Sequence, residues 1–308
     1  MRRTCLCLFA LASICLAAPK ASKGPKKPPA PIGSRADLSG AQSWAIQLQG
    51  ADINELVASS YDIVVIDYSR DGTDAGAYSH AEIESVRNSG KTVLAYLPLG
   101  EASDFRFYWQ DGWTVGHPAF IGSENPNYPG TYKARYWKRA WWRQVVRPHL
   151  DRILDAGFDG VCLDSIDSYW FWFLQGEDPV ESADRMAQLV RKVAEYARAR
   201  LGESFVVCPN NGLAMLDDAS TEWAANYLSD IDAVAVESLF YNYFSQADQD
   251  YRLWKLEQFA SAGTKILNAE YIDLALLDEY FGMLAMQSFE ILGYPAGSDA
   301  LLDELIVY

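Results

Sequence analysis

The sequence has few residues of the kinds that bind metals or cross-link a chain. Its 308 residues include five cysteines and three histidines, and three of the cysteines fall within residues 1–18. His80, His117 and His149 do not have the spacing of metal ligands. The chain also lacks a Gly-x-Ser-x-Gly elbow, a glycine-rich dinucleotide fingerprint and a Walker loop. We therefore expect no metal, no cofactor and no serine-hydrolase chemistry.

Basic residues are also scarce relative to acidic ones. The chain has 26 Lys and Arg against 41 Asp and Glu, and six of the basic residues but none of the acidic ones lie in residues 1–33. Residues 34–308 therefore carry a net charge of −21. Such a surface repels nucleic-acid phosphates and attracts cations. It excludes a nucleic-acid partner and is compatible with a cationic substrate, although acidic surfaces also serve solubility alone.

The amino-terminal residues have the pattern of an export signal. Met1-Arg2-Arg3 precedes an apolar run at 5–18 that ends in small residues. This run is too short to span a bilayer and is typical of a secretory signal peptide. A Pro- and Lys-rich linker at 19–40 follows, and residues 41–308 form one domain. We expect a secreted protein that has no membrane span and acts as a monomer.

Two cysteines, Cys162 and Cys208, remain after the signal peptide, and both lie in apolar runs of strand length. Free cysteine is among the most frequently buried residue types. We expect both side chains to pack in the core as small hydrophobic groups. A disulfide stays open as an alternative, because an exported protein meets an oxidising environment.

Eight apolar runs of strand length recur along the chain, and each is followed by a helical pattern. They occupy residues 44–49, 61–68, 92–99, 158–164, 204–210, 231–237, 264–270 and 288–295. Near-continuous apolar runs are typical of strands buried on both faces of a parallel sheet. Eight β-α units in a chain of this length predict an α/β protein with a single-domain (β/α)8 TIM barrel. A doubly wound open sheet is the alternative.

Most of these runs end in a polar or acidic residue. The residues are Asp67, Glu101, Asp164, Asn210, Glu237 and Glu270. The carboxyl ends of barrel strands form one mouth, where barrel enzymes build their active sites. Strand alternation places Cys162 on the same face as Asp164, and Ala235 on the same face as Glu237. We therefore expect these polar side chains to converge at one end of the barrel.

A long insertion follows the third strand. Residues 103–137 are rich in aromatics, Gly and Pro and have no clear period. A long loop at the catalytic end of a barrel is usually functional. We expect this insertion to fold over the mouth and to bring Tyr136 or Trp137 into contact with the substrate.

The residues at the predicted mouth favour carbohydrate chemistry. Glycoside hydrolysis needs two carboxyl groups, of which one protonates the leaving oxygen and the other attacks the sugar or activates water. Flat aromatic rings complement this chemistry, because they stack on sugar faces. Aromatic residues follow Asp164 at 169–173, and Tyr241 and Tyr243 follow Glu237. A glycan-binding protein without catalytic activity would also keep aromatics, but would not need both carboxylates.

Five segments of the chain carry a resemblance to a known family. They are IDYSRDG (66–72), YLPLGEASDFRFYW (96–109), ENPNYPGTYKARYW (124–137), GFDGVCLDSIDSY (157–169) and VAVESLFY (234–241). Together they resemble the endo-α-1,4-polygalactosaminidases, a family of glycoside hydrolases, and the resemblance extends over nearly all of residues 42–297. It implies a (β/α)8 barrel and an α-1,4-linked galactosamine polymer as substrate.

The resemblance also implies roles for individual residues. The catalytic carboxylates fall on strands four and six, at Asp164 and Glu237. Other residues are expected to bind substrate, namely Asp67, Tyr68, Glu101, Asn210 and Glu270 from the resemblance, with Tyr136 and Tyr241 from the aromatic segments. An α-glycosidase acting on another exopolysaccharide and a non-catalytic glycan-binding barrel remain alternative hypotheses.

Overall fold

The computed structural model describes residues 37–308. The predicted signal peptide at 1–18 and residues 19–36 of the predicted linker lie outside them. Within the rest of that linker, Leu38 is buried and packs in the core.

The described residues alternate between strands and helices along the chain. The strands are β1 (Trp44–Gln47), β2 (Ile63–Ile66), β3 (Thr92–Pro98), β4 (Glu101–Ser103), β5 (Ile121–Glu124), β6 (Thr131–Ala134), β7 (Gly160–Asp164), β8 (Val206–Pro209), β9 (Ala233–Glu237), β10 (Lys265–Ile272) and β11 (Leu292–Gly297). The helices are α1 (Ile53–Ala58), α2 (His80–Asn88), α3 (Arg139–Trp141), α4 (Arg147–Ala156), α5 (Ser168–Leu174), α6 (Pro179–Leu201), α7 (Met215–Asp218), α8 (Thr221–Asp230), α9 (Gln246–Ser261) and α10 (Leu277–Ala285). Every residue of β1, β2 and β8 is buried, as expected of strands covered on both faces.

Eight of the strands are parallel and follow one another in chain order. One sheet has the order β1-β2-β3-β7-β8, and a second has the order β9-β10-β11. A bridge between Asn210 and Ala235 joins the two sheets, and the Asp232 N–H donates to the Val207 carbonyl at 2.9 Å. The prediction of an α/β protein with a (β/α)8 fold is confirmed.

The seam between β1 and β11 is covered by side chains and by the carboxyl-terminal segment. The Trp44 indole donates to the Leu292 carbonyl at 2.9 Å. The backbone N–H groups of Leu48 and Gln49 donate to the Leu302 carbonyl at 2.8 and 3.1 Å. The segment 302–308 thus satisfies backbone groups that a neighbouring strand would otherwise pair.

The insertion after β3 is more ordered than its sequence suggests. Strands β4, β6 and β5 form a small antiparallel sheet in that order. The Trp172 indole of α5 donates to the Ala134 carbonyl at 2.8 Å, and Phe120 and Ile121 are buried in the core. The insertion is therefore packed onto the barrel end, not suspended as a free loop.

No helix among residues 37–308 combines the length and the apolar character needed to cross a bilayer. That same part of the chain contains no group of three or more His, Cys, Asp or Glu side chains placed to hold a metal ion.

Candidate active site

The strand register decides which side chains point into the barrel. Residues opposite one another on neighbouring parallel strands face the same side. Cys162 pairs with Cys208, and Asn210 forms a bridge with Ala235. Counting by two along each strand from these pairs places Asp164, Asn210 and Glu237 on one inner face at the carboxyl ends of β7, β8 and β9.

Asp164 is held by two neutral donors. The Tyr96 hydroxyl donates to Asp164 Oδ2 at 2.5 Å, and Asn210 Nδ2 donates to Oδ1 at 3.2 Å. Neither partner carries a positive charge. The carboxylate therefore keeps a fixed orientation without a cation that would lower its reactivity as a nucleophile.

Glu237 receives three hydrogen bonds. The Tyr271 hydroxyl donates to Oε1, and the amides of Asn210 and Asn211 donate to Oε2 at 3.2 and 3.0 Å. Burial and the negative charge of Asp164 raise the pKa of Glu237, and the three donors lower it in part. The net rise favours a protonated carboxyl group at a pH where ordinary glutamates are ionised.

The amide of Asn210 fixes the spacing of the two carboxyl groups. Its Nδ2 atom lies 3.2 Å from Asp164 Oδ1 and 3.2 Å from Glu237 Oε2. Oxygens that lie along the two N–H bonds of a planar amide, which diverge by about 120°, stand about 5.5 Å apart at these distances. Retaining glycosidases have a spacing of about 5–5.5 Å, and inverting ones about 6.5–9.5 Å. This spacing is compatible with a retaining pair of carboxyl groups.

Three residues directly after these strand ends adopt left-handed backbone conformations. Ser165, Asn211 and Ser238 have φ values of 58°, 59° and 51°. Such conformations are uncommon for residues with a side chain and collect at functional sites. The chain turns sharply there, immediately after each strand has presented its polar side chain.

Asp67 and Glu101 are both paired with cations at the same end of the barrel. Arg106 forms two hydrogen bonds with Asp67, at 2.6 and 3.2 Å, and both side chains are buried. Lys133 of β6 pairs with Glu101, and Asn125 donates to the same oxygen at 3.0 Å. Because Arg106, Asn125 and Lys133 belong to the insertion, these pairs attach it to the barrel.

Glu270 does not face the mouth. Ala269 pairs with Glu237 in register, so Ala269 and Tyr271 share the inner face and Glu270 points outward. The Glu270 carboxylate accepts the backbone N–H groups of residues 239–241 at 2.9–3.0 Å. It therefore supports the loop after β9, and Tyr271 occupies the mouth position that the sequence prediction gave to Glu270. Tyr271 can be identified from the strand pairing: Ala269 lies opposite the inward-facing Glu237, and the next residue on the same face of β10 is Tyr271.

Two predicted substrate-binding tyrosines are packing residues in this structure. Tyr68 is 1% exposed, and its hydroxyl donates to the Gly72 carbonyl at 2.9 Å. Tyr136 is 2% exposed, and its hydroxyl donates to the Ser182 carbonyl at 2.8 Å. Trp137, the other candidate in the insertion, is partly buried against Tyr136 and Trp172. A sugar cannot reach Tyr68 or Tyr136, so we do not retain the predicted contacts.

Tyr241 keeps a position at the rim. It is partly buried, and its hydroxyl donates to Glu279 at 3.1 Å. Tyr128 of the insertion is 61% exposed and is one of the groups whose charge raises the pKa of Tyr271. Sequence analysis singled out neither Tyr128 nor Tyr271.

Cys162 and Cys208 are buried, free thiols on the inner face of β7 and β8. The disulfide alternative is not adopted in this structure. Their expected role as small core residues agrees with the burial of both side chains.

The chain matches known proteins in sequence and in fold. Residues 24–288 match the sequence model of glycoside-hydrolase family GH114. An uncharacterized protein of Thermotoga maritima is 35% identical over 277 residues, which cover 86% of this chain and 83% of the relative. MJ1477 of Methanocaldococcus jannaschii, also uncharacterized, is 34% identical over 273 residues, which cover 85% of this chain and 77% of the relative.

Two solved structures share the fold. The glycoside hydrolase domain of PelA from Pseudomonas aeruginosa aligns with a TM-score of 0.64 and 19% identity, over 86% of this chain and 98% of that domain. Aspergillus fumigatus Ega3, solved in complex with galactosamine, aligns with a TM-score of 0.62 and 17% identity, over 86% and 95% of the two chains. With the family match over most of its length, the chain belongs to glycoside-hydrolase family GH114 and is a glycoside hydrolase.

Proposed function

We propose that this glycoside hydrolase is secreted and cleaves α-1,4-linked, galactosamine-containing polysaccharide internally with retention of configuration. The observation that carries the mechanism is the pair Asp164 and Glu237, both held by the Asn210 amide at 3.2 Å. Their spacing suits a nucleophile and an acid on opposite sides of one glycosidic bond.

The first half of the reaction uses Glu237 as acid and Asp164 as nucleophile. Protonated Glu237 donates its proton to the glycosidic oxygen while an oxygen of Asp164 attacks the anomeric carbon. The bond from that carbon to the leaving sugar breaks, and a covalent glycosyl–Asp164 ester forms. The raised pKa of Glu237 supports this assignment, because the acid must hold its proton at the working pH.

The second half regenerates both groups. Glu237, now ionised, accepts a proton from a water molecule as that water attacks the anomeric carbon. The ester bond to Asp164 breaks, and the sugar leaves with its original configuration. Tyr271 and Asn211 stabilise the ionised Glu237 through hydrogen bonds, which suits a residue that changes charge twice in each turnover.

Two observations support an aminosugar polymer as the substrate. Residues 34–308 carry a net charge of −21, which attracts a cationic chain. Ega3, which has the same fold, was solved with galactosamine bound. Secretion is supported by the signal-like residues 1–18, and amino-terminal sequencing of protein recovered from culture medium tests it.

A reducing-end assay on defined polymers tests the proposed function. The panel contains deacetylated and N-acetylated α-1,4-linked galactosamine polymers and neutral α-linked polysaccharides, with Glu237→Gln as the inactive control. We expect new reducing ends from the deacetylated galactosamine polymer and a product mixture that shortens from within the chain. Cleavage of only the neutral polysaccharides would replace the substrate assignment with that of another α-glycosidase.

A further inference from the structure

The loop that follows Glu237 at the carboxyl end of β9 is held by side chains of β10 and α9. On its N–H side, residues 239, 240 and 241 donate to the buried Glu270 carboxylate at 2.9–3.0 Å. The Ser238 N–H donates to the Ala269 carbonyl at 3.0 Å. A loop without helix or strand geometry thus has its N–H groups satisfied one after another, mostly by one carboxylate.

Arg252 of α9 holds the carbonyl side of the same loop. Its guanidinium donates to the Ser238 carbonyl at 2.7 Å and also to the Glu237 carbonyl. Gln249, one turn earlier on α9, donates to the Leu239 carbonyl at 2.9 Å. A guanidinium presents its donors in a rigid planar fork, so two successive carbonyls that bind it keep one relative orientation.

The residue between these two carbonyls has an unusual backbone conformation. Ser238 has a φ of 51°, in the left-handed region that a residue with a side chain rarely adopts and keeps only where surrounding contacts hold it. Both peptide groups that flank its Cα are bound at both ends, the carbonyls by Arg252 and the N–H groups by Ala269 and Glu270. These contacts fix φ and ψ of the residue directly after Glu237.

We propose that Arg252, together with Glu270, positions the Glu237 carboxyl group for proton transfer by fixing the two peptide groups that flank Ser238. This inference rests on the proposed function, in which Glu237 is the acid. A general acid must lie within hydrogen-bond reach of the leaving oxygen, and a displacement of about 1 Å can lower the rate about a hundredfold. Arg252 and Glu270 are positioning residues, because they act on Glu237 through the backbone.

The test compares two substrates that differ in their need for the acid. One is a short oligosaccharide of the polymer cleaved in the reducing-end panel, and the other is the dinitrophenyl glycoside of the same sugar, whose leaving group departs without a proton. Arg252→Met removes the donors and keeps most of the side-chain length. We expect kcat/KM on the oligosaccharide to fall about tenfold to a hundredfold and kcat/KM on the aryl glycoside to stay close to the wild-type value. A loss of folded protein would lower both values equally.

Arg135→Met is the matched control, because Arg135 also donates to two carbonyls, those of Ala119 and Ile121, at 3.2 and 3.1 Å. It should leave the ratio of the two kcat/KM values unchanged. Arg252→Lys gives the same comparison if the methionine variant is unstable, since one ammonium does not reproduce the fork on two carbonyls. Glu270→Gln should change the ratio in the same direction as the Arg252 variants.

The Glu237→Gln variant separates this inference from the proposed function. It should lose activity on the oligosaccharide and keep kcat/KM on the aryl glycoside. If it does so while the Arg252 and Glu270 variants lose activity equally on both substrates, or lose none, the positioning role is overturned and the proposed function stands. If Glu237→Gln itself loses activity equally on both, the acid role of Glu237 is overturned, and this inference with it.

Discussion

Asp164 and Glu237 carry the same functional group, and the proposed mechanism gives them different tasks because their surroundings differ. Burial first, and then the charge of Asp164, raises the pKa of Glu237. Asp164 receives the Tyr96 hydroxyl at 2.5 Å, a donor that stabilises its anionic form. Asn210 contacts both and holds them at a fixed separation. The same reaction would not proceed if both groups were ionised or both protonated.

Removing either carboxylate should abolish most activity without unfolding the protein. Asp164→Asn and Glu237→Gln keep the side-chain shape and take away the nucleophile or the proton donor. We expect kcat to fall by about a hundredfold to ten-thousandfold, the range typical of acid–base groups. Reducing-end kinetics measure the loss, and circular dichroism checks the fold. Near-normal turnover in either variant would contradict its assigned role.

Tyr271→Phe should move the pH dependence of kcat. The Tyr271 hydroxyl stabilises ionised Glu237 and so lowers its pKa. Its removal should raise that pKa, and because Glu237 acts as acid in the protonated form, the alkaline limb of the pH profile should shift to higher pH. Tyr251→Phe is the matched control, since Tyr251 also donates to a carboxylate, Asp217, but outside the mouth. An unmoved alkaline limb in Tyr271→Phe would contradict this role.

At the scale of the element, we propose that the insertion partly covers the mouth and that its exposed Tyr128 contacts the polymer. Lys133 and Asn125 anchor the insertion through Glu101. Tyr128→Ala should raise KM for polymer about threefold to tenfold, which corresponds to the loss of one aromatic contact. kcat on a short oligosaccharide should change little.

Trp254→Ala serves as the control for Tyr128→Ala, because Trp254 is 53% exposed on α9. It removes an aromatic surface without touching the insertion. If both variants bind polymer as the wild type does, Tyr128 has no part in substrate binding.

The carboxyl-terminal segment should contribute to stability because it covers the β1–β11 seam. Gln47 donates to the Asp303 carbonyl at 3.0 Å, Tyr61 donates to the Ile306 carbonyl, and Ile306 N–H donates to the Tyr294 hydroxyl at 3.0 Å. Deleting residues 303–308 should lower the free energy of unfolding by about 2–4 kcal/mol, at about 1 kcal/mol for each lost bond with added exposure of tyrosine rings. Urea denaturation measures the change, and an unchanged midpoint would contradict it.

Sequence analysis predicted the barrel strands well and the mouth only partly. The eight apolar runs match β1, β2, β3 and β7–β11 because burial on both faces leaves a continuous apolar signature. The strands of the insertion have three or four residues each and carry polar side chains, so they left no such signature. Glu270 was misplaced because a shift of one residue along a strand reverses the face, and only the register with β9 fixes it.

At the scale of the whole molecule, the acidic charge is expected to direct substrate choice. Residues 34–308 carry −21, and this charge includes Asp164 and Glu237 at the mouth, which are held by neutral donors. Deacetylated, cationic polymer should therefore be cleaved faster than fully acetylated polymer. Added salt should narrow the difference, since surface attraction is screened over about 8 Å at physiological ionic strength. If the two polymers are cleaved at equal rates and salt changes neither rate, the acidic charge serves solubility and has no part in substrate choice.

The stereochemistry of cleavage tests the central claim most directly. In the proposed mechanism a covalent intermediate forms on Asp164, since a spacing of about 5.5 Å between the two carboxyl groups is typical of retaining enzymes and shorter than the spacing that admits a water molecule. Proton NMR of a defined α-linked galactosamine oligosaccharide, recorded within the first turnovers, reports the configuration of the new reducing end before it equilibrates. We predict that the α-anomer appears first. Initial release of the β-anomer would show inversion and contradict the assignment of Asp164 as nucleophile.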